Sequence, residues 1–195
     1  MSAGLLLRIL LWGWFAAAIL AGHRLTLRHL PPAALAGMVP VLAGLAWMLT
    51  RRLSSLRAFC AEVDIRALVL LQVVRASGLY FLFGEGAAGL PRGLALLAGA
   101  GDLIVAVMAL PVAFAPMDGE TRARAIRIWS VVSLLSLLAS AGLLLRLALG
   151  EPLQLLPFAY LPLSLYPTFL LPLLLAAQAV LLGRALGRGG SGSDR

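Results

Sequence analysis

Two charged residues occupy the middle of apolar segments that are long enough to cross a membrane. A short Gly-rich turn from Gly84 to Arg92 is predicted between the two segments; Arg75 lies nine residues before Gly84, and Asp102 lies ten residues after Arg92. At about 1.5 Å per helical residue, both lie roughly 13–15 Å deep in a hydrocarbon core about 30 Å thick. A charge at that depth is costly unless it is paired. The sequence therefore predicts an ion pair between Arg75 and Asp102 inside a helical hairpin.

Two amide side chains accompany the predicted pair. Gln72 lies one helical turn from Arg75, and Gln178 lies in the last apolar segment. As a binding site, these residues could form a gate that responds to protons or anions. In a purely structural role, these residues would hold the helical hairpin together. Ionisable groups inside a membrane are functional candidates by default, but a neutralised pair also serves a purely structural role, so both interpretations stay open.

A short glycine motif precedes the buried aspartate. Gly99-Ala100-Gly101-Asp102 matches the GxGD motif of intramembrane aspartyl proteases and prepilin peptidases. That chemistry needs two carboxylates that share a proton. No second acidic residue lies inside an apolar segment, because Asp64 falls at the edge of the third, so protease activity is a minor alternative. Gly99 and Gly101 are instead predicted to let a neighbouring helix approach closely.

Three serines of the fifth apolar segment share one helical face: Ser133, Ser136 and Ser140. Residues 140–142, Ser-Ala-Gly, are similar to the serine motif of rhomboid proteases, but a serine nucleophile needs a base. The only histidines, His23 and His29, fall in the first outer loop, beyond the reach of a serine in mid-helix. The serines are therefore predicted to hydrogen-bond across helices, and neither a haem nor a metal site is predicted.

The composition is that of an integral membrane protein. Of the 195 residues, 62% are apolar, and soluble domains average about 45–50%. The net charge of +8 comes from arginines spread over the ends of apolar segments, without a basic arm, so nucleic acid is not a predicted partner. Cys60 is the single cysteine, which excludes an internal disulfide.

Without a nucleophile–base pair, carboxylate dyad, phosphate loop or metal cluster, the chain is not predicted to be an enzyme.

Six apolar stretches are long enough to cross a bilayer as helices. They cover roughly residues 5–22, 33–49, 65–83, 93–115, 126–149 and 163–184. Because lipid offers the backbone no hydrogen-bond partner and these runs lack the alternation of barrel strands, we predict an all-α integral membrane bundle of six transmembrane helices. Residues 1–186 would form a single domain, and the Gly- and Ser-rich residues 187–195 a disordered cytoplasmic tail.

The arginines predict the orientation of the bundle. Eleven lie on the side that carries both termini, and four lie on the opposite side. By the positive-inside rule, both termini are cytoplasmic, and the protein is expected to be a multi-pass protein of a bacterial inner membrane.

Prolines interrupt the region before and within the sixth stretch at intervals of five residues: Pro152, Pro157, Pro162, Pro167 and Pro172. Each lacks a backbone donor, so a continuous helix is not expected there. Residues 151–161 are predicted to be an interfacial or re-entrant piece, or alternatively an apolar loop lying on the bundle. Tyr160 and Tyr166 are expected near the headgroups, and Pro172 is expected to kink the sixth helix.

Several short patterns in the second half of the chain occur together: Arg75-x-x-Gly78, Leu90-Pro91, Gly99-x-Gly101-Asp102 and Pro167-x4-Pro172. This combination resembles a group of small uncharacterised bacterial polytopic membrane proteins, over roughly residues 72–182. Members of that group tend to have a histidine in the last helix, where this chain has Gln178. The resemblance implies a membrane bundle with the Arg75 and Asp102 neighbourhoods as its signature, and it implies neither an activity nor a cofactor.

These observations lead to a ranked expectation of function. The small-residue faces and the proline-rich apolar segment favour a non-enzymatic, membrane-embedded accessory or interaction subunit, with the lipid bilayer and membrane proteins as partners. The alternative is a small-solute or ion transporter or channel built around Arg75, Asp102, Gln72 and Gln178. An intramembrane aspartyl protease-like protein is the minor alternative.

Overall fold

The structure of the protein, a computed structural model, describes residues 3–24, 26–83 and 90–187. Within these ranges the chain is mostly helical and contains no β-strand. Two sequence expectations fall partly outside them: the predicted turn between the third and fourth apolar segments includes residues 84–89, and the predicted tail continues beyond residue 187.

The described ranges contain these α-helices: α1 Ala3–His23, α2 Pro32–Arg52, α3 Ser54–Glu62, α4 Ile65–Leu71, α5 Leu79–Phe83, α6 Arg92–Ala95, α7 Asp102–Phe114, α8 Gly119–Gly150 and α9 Leu171–Gly187. Shorter 3-10 helices cover Thr26–His29, Gln72–Gly78 and Pro152–Ala159, and π-helices cover Leu96–Gly101 and Tyr166–Leu170.

Six helical segments in the described part of the chain are long and apolar enough to cross a membrane. In order, these spans are Gly4–His23, Pro32–Arg52, Ile65–Phe83, Arg92–Phe114, Gly119–Gly150 and Tyr166–Leu186. The predicted all-α fold with six spans is therefore confirmed, and the protein is a multi-pass membrane protein. The connection between the second and third spans holds one further element, α3.

Local sequence explains where several helices begin. Pro32 takes the first position of α2, where a missing N–H costs nothing. The Asp64 carboxylate accepts from the backbone N–H of Arg66 at 2.9 Å and caps α4. Asp118 caps α8 in the same way, because its carboxylate accepts from the backbone N–H of Thr121 at 3.0 Å. Hydrogen bonds from the Thr121 side chain and from its backbone N–H lower the pKa of the Asp118 carboxyl below its ordinary value.

The last four spans share a layered arrangement of apolar, polar and apolar side chains. One apolar group lies at the end of the bundle that carries α3, and we call it the lower cluster. Its buried members are Val69, Val105, Ala109, Val112, Ala113, Ile126, Trp129, Leu181 and Ala185. The upper cluster lies towards the other end and includes Phe81, Leu94, Leu144 and Leu171. Most buried polar residues of these spans fall between the two clusters, namely Gln72, Arg75, Asp102, Ser130, Ser133 and Gln178, whereas Ser140 and Thr168 fall among residues of the upper cluster. The sequence therefore builds a polar layer across the middle of the bundle.

The proline-rich segment before the sixth span lies on the bundle. Leu155 and Phe158 of the 3-10 helix are buried in the upper cluster, whereas Leu153 is exposed. Tyr160 is also exposed, but Tyr166 is buried, and its ring packs edge-on against Phe81 with a centroid separation of 4.8 Å. Tyr166 is the first residue of the sixth span, so its expected depth near the headgroups stays a prediction, and its ring completes an aromatic group inside the upper cluster.

Pro172 changes the hydrogen bonding of the sixth span. It has no N–H to donate to the carbonyl of Thr168 four residues earlier. That carbonyl accepts instead from the Trp14 indole Nε1 at 2.9 Å. The sequence predicts a kink at Pro172. The structure has the π-helix Tyr166–Leu170 just before this proline, and α9 then continues as a regular helix.

Candidate functional site

Glycines bring the third and fourth spans close together beside the polar layer. A Cβ added to Gly99 would lie 2.6 Å from Leu82 Cγ, which is closer than real Cβ contacts. A Cβ on Gly101 would lie 3.8 Å from its nearest neighbours, which is an ordinary contact. Of the two glycines predicted to allow close packing, Gly99 lies at the tight approach, and Gly101 lies where a small side chain would fit.

Arg75 and Asp102 form a buried ion pair across this approach. The guanidinium Nε donates to Asp102 Oδ1 at 3.1 Å, and Nη2 donates to the same oxygen. Arg75 is 0% exposed and Asp102 is 1% exposed. The two charges therefore neutralise each other away from the surface of the bundle.

The fifth span completes the surroundings of the guanidinium. Arg75 Nη1 donates to the carbonyl of Ser133 at 3.2 Å and to its hydroxyl at 2.8 Å, and Nη2 donates to the Ser136 hydroxyl at 2.9 Å. The Ser136 hydroxyl in turn donates to Asp102 Oδ1 at 3.5 Å. One arginine thus connects three spans, which the sequence could not specify because pairing between helices depends on their packing.

The sixth span joins the same network through Gln178. Its Nε2 donates to the carbonyl of Ser130 at 2.7 Å, and its Oε1 accepts from the Ser133 hydroxyl at 3.3 Å. Gln178 is 0% exposed. Because Ser133 contacts both Gln178 and Arg75, a continuous chain of polar contacts links the sixth span to the ion pair.

Irregular helical geometry surrounds this network on three spans. In the 3-10 helix Gln72–Gly78, three residues make one turn, so Gln72, Arg75 and Gly78 stack on one side, and all three are buried. The π-helix Leu96–Gly101 ends directly before Asp102, and the second π-helix begins at Tyr166. Such mid-helix irregularities are frequent at functional sites.

Several buried polar atoms next to the network have no hydrogen-bond partner among the described residues. They are both amide atoms of Gln72 and the hydroxyls of Ser130, Ser140 and Tyr166. The Tyr166 hydroxyl lies beside the Asp102 carboxylate and Ser140 but does not make a hydrogen bond of standard geometry. Because buried polar groups are nearly always hydrogen-bonded, water or a polar solute is the partner that fits them.

The structure brings most of the residues predicted as a site into one place. Arg75, Asp102, Ser133, Ser136 and Gln178 share the hydrogen-bonded network described above. Gln72 lies one 3-10 turn from Arg75, and Ser140 lies beside Tyr166. The sequence interpretation missed two members, Ser130 and Tyr166. Ser130 could have been found from its spacing of three residues from Ser133, whereas the burial of Tyr166 depends on the path of the proline-rich segment.

The buried side chains determine which chemical groups the polar layer contains. Among the described residues, Asp102 is the only carboxylate that is buried, and no group of three or more His, Cys, Asp or Glu side chains could hold a metal ion. The network instead offers one neutralised charge pair, an amide and several hydroxyls. These groups can exchange hydrogen bonds with a small polar molecule or ion.

A family model described as a domain of unknown function, DUF8737, matches residues 30–186. This match covers more than half of the chain, so the chain belongs to that family. No curated protein and no solved structure matches the chain. The matched residues include the whole polar layer and leave all of α1 outside.

Proposed function

We propose that this member of the DUF8737 family is a small-solute or ion transporter of a bacterial cytoplasmic membrane. Both termini would be cytoplasmic, and the polar layer around Arg75 and Asp102 would be the central site. The observation that carries the proposal is the set of buried polar groups that lack a hydrogen bond of standard geometry on either side of the ion pair: Gln72 and Ser130 in one direction, Ser140 and Tyr166 in the other.

A purely structural network would be expected to satisfy its own polar groups. Arg75 meets this expectation, since its three nitrogens all donate to protein oxygens. Its neighbours Gln72 and Ser130 do not. A partly satisfied buried network destabilises a protein more than an apolar core would, unless a ligand or water completes it. This contrast supports a binding role for the layer in addition to a structural one.

The layering supports transport from an occluded state. The upper and lower clusters close the polar layer at both ends of the bundle. A solute in the layer would therefore be cut off from both aqueous faces, and movement of one cluster would open one side at a time. The 3-10 and π segments are the places where small changes of helical hydrogen bonding could produce that movement.

The test is flux into proteoliposomes that contain the purified protein. Proton entry under a potassium diffusion potential is followed with an enclosed pH-sensitive dye, and entry of small neutral solutes is followed by osmotic swelling. We expect wild-type flux above that of empty liposomes. Asp102→Asn, which keeps the side-chain size but removes the charge, should reduce this flux at least ten-fold.

Glu151→Gln is the matched control, because Glu151 is exposed at the end of α8 and lies outside the layer. It should leave flux unchanged. Wild-type flux equal to that of empty liposomes for protons and for every solute would contradict the proposal, and so would an Asp102→Asn variant as active as wild type.

A second candidate function, a membrane-embedded accessory subunit, is favoured by the packing of α1. Only 6% of the most apolar window of the first span is buried, compared with 39% for the fourth and sixth spans. A helix held so loosely offers a long face to another membrane protein. Purification from the native membrane in mild detergent tests this role, since a stable larger complex supports it and a monomer or homo-oligomer contradicts it.

A further inference from the structure

An apolar cavity of about 320 Å³ lies apart from the polar layer. Its walls come from the first, second, third and sixth spans, and α3 closes one end. Leu10, Leu45, Phe59, Leu68 and Leu173 each contribute from a different helix. Ligand pockets in proteins have volumes of about 300–1,000 Å³ and mostly apolar walls, so this cavity has the size and character of a binding site.

The depth of the cavity corresponds to one membrane leaflet. On α2 its lining runs from Leu42 to Thr50, a length of about 12 Å at 1.5 Å per residue. Half of a hydrocarbon core about 30 Å thick is about 15 Å. Near the same end of α2, the Arg51 guanidinium lies 5.1 Å from the centroid of the Trp47 ring. Tryptophan and arginine together are typical of the headgroup level.

The end of the cavity at this level is strongly basic. Four exposed arginines lie on the lining helices α1, α2 and α3, each within two residues of a lining residue: Arg8, Arg51, Arg52 and Arg57. Arg184 also belongs to this end, because its Nη1 donates to the carbonyl of the lining residue Val63 at 2.5 Å. Of the two nearby carboxylates, Glu62 and Asp64, the second already caps α4. The charge at the opening therefore complements an anion.

We propose that this cavity binds one acyl chain of an anionic phospholipid, whose phosphate lies at the arginines that end α2 and begin α3. The chain would fill the space between α1 and α9, while the headgroup would contact Arg51, Arg52 and Arg57. The bound lipid would thereby attach the loosely packed first span to the rest of the bundle. This site is independent of the transport proposal, since it shares no residue with the polar layer.

The first measurement is native mass spectrometry of the protein purified in mild detergent and exchanged with equal amounts of phosphatidylglycerol and phosphatidylcholine. We expect one retained phosphatidylglycerol per chain. Ala46→Phe places a ring in the cavity, because Ala46 is part of its lining, and should abolish retention. Ala16→Phe is the matched control, because Ala16 is exposed on α1 and does not line the cavity.

The arginines are tested by exchanging Arg51, Arg52 and Arg57 together for glutamine. The preference for phosphatidylglycerol over phosphatidylcholine should fall roughly five-fold for each arginine removed. The control exchanges the same number of exposed arginines at the other end of the bundle, namely Arg28, Arg92 and Arg146. This control should keep the wild-type preference.

Cys60 provides a readout on the wild-type protein, in case Ala46→Phe does not fold. It is the single cysteine of the chain and lines the cavity. Added phosphatidylglycerol should slow its alkylation by N-ethylmaleimide at least five-fold, and phosphatidylcholine should not. Equal protection by both lipids, no protection by either, or undiminished lipid retention in a folded Ala46→Phe variant would overturn the proposal.

Discussion

Gly78 lies so close to Ala98 that a Cβ on the glycine would be 2.3 Å from the alanine carbonyl oxygen. The same Cβ would be 3.4 Å from Asp102 Cβ. The contact therefore occurs beside the ion pair, one 3-10 turn after Arg75. The close approach of the two backbones at Gly78 sets the distance between the third and fourth spans. At that distance, the guanidinium of Arg75 can reach the carboxylate of Asp102.

Gly78→Ala should destabilise the bundle. The atom that the new methyl group meets belongs to the backbone, which cannot rotate away, so the two spans must separate. We expect a loss of about 1–3 kcal/mol in the free energy of unfolding, measured by SDS titration in mixed micelles. Gly142→Ala is the control, because nothing lies within 4 Å of a Cβ there. Equal effects of the two substitutions would show that the close approach does not matter.

Arg75→Ala and Asp102→Ala should each be strongly destabilising when made alone. Either one leaves a buried charge without its partner, at an expected cost of about 3–5 kcal/mol. The double variant should recover much of this loss, because both charges are then removed. The same titration measures all three variants, and Arg146→Ala serves as an exposed control. If the loss of stability in the double variant equals the sum of the losses in the two single variants, the two side chains do not interact.

Trp14→Phe should weaken the attachment of the first span. The substitution keeps an aromatic ring but removes the indole N–H that donates to the carbonyl of Thr168. Because Pro172 cannot supply a replacement donor, we expect a cost of about 1–3 kcal/mol, seen as a lower midpoint of thermal unfolding in detergent. Trp12→Phe on the same helix should have little effect, since Trp12 is 69% exposed. A larger effect at Trp12 would contradict this assignment.

Cysteine labelling tests the proposed orientation. In a Cys60→Ser background, Arg28→Cys should react with a membrane-impermeant maleimide in intact cells, and Arg124→Cys should react only after the cells are opened. Both arginines are exposed, and they lie at opposite ends of the bundle. The reverse pattern would place both termini outside. A reporter that is active only in the periplasm, fused after Arg195, should correspondingly stay silent.

The number and position of the spans follow from the sequence, because transfer of apolar side chains into lipid depends on composition and length more than on packing. The partners of Arg75 and Asp102 could also be anticipated, since a charge in hydrocarbon requires an opposite charge at similar depth. The role of Gly99 follows from the same reasoning, because small residues allow helices to approach.

Other features depended on the tertiary structure. Ser133, Ser136 and Gln178 have polar side chains that could face any neighbour, and only the relative rotation of the spans decides that they meet Arg75. The burial of Tyr166 depends on how the proline-rich segment folds over the upper cluster. The cavity beside Cys60 likewise arises from the spacing of helices distant in sequence. The hydropathy of a segment follows from the residues of that segment alone. Contacts between segments depend on how the surfaces of two or more helices fit together, which no single segment determines.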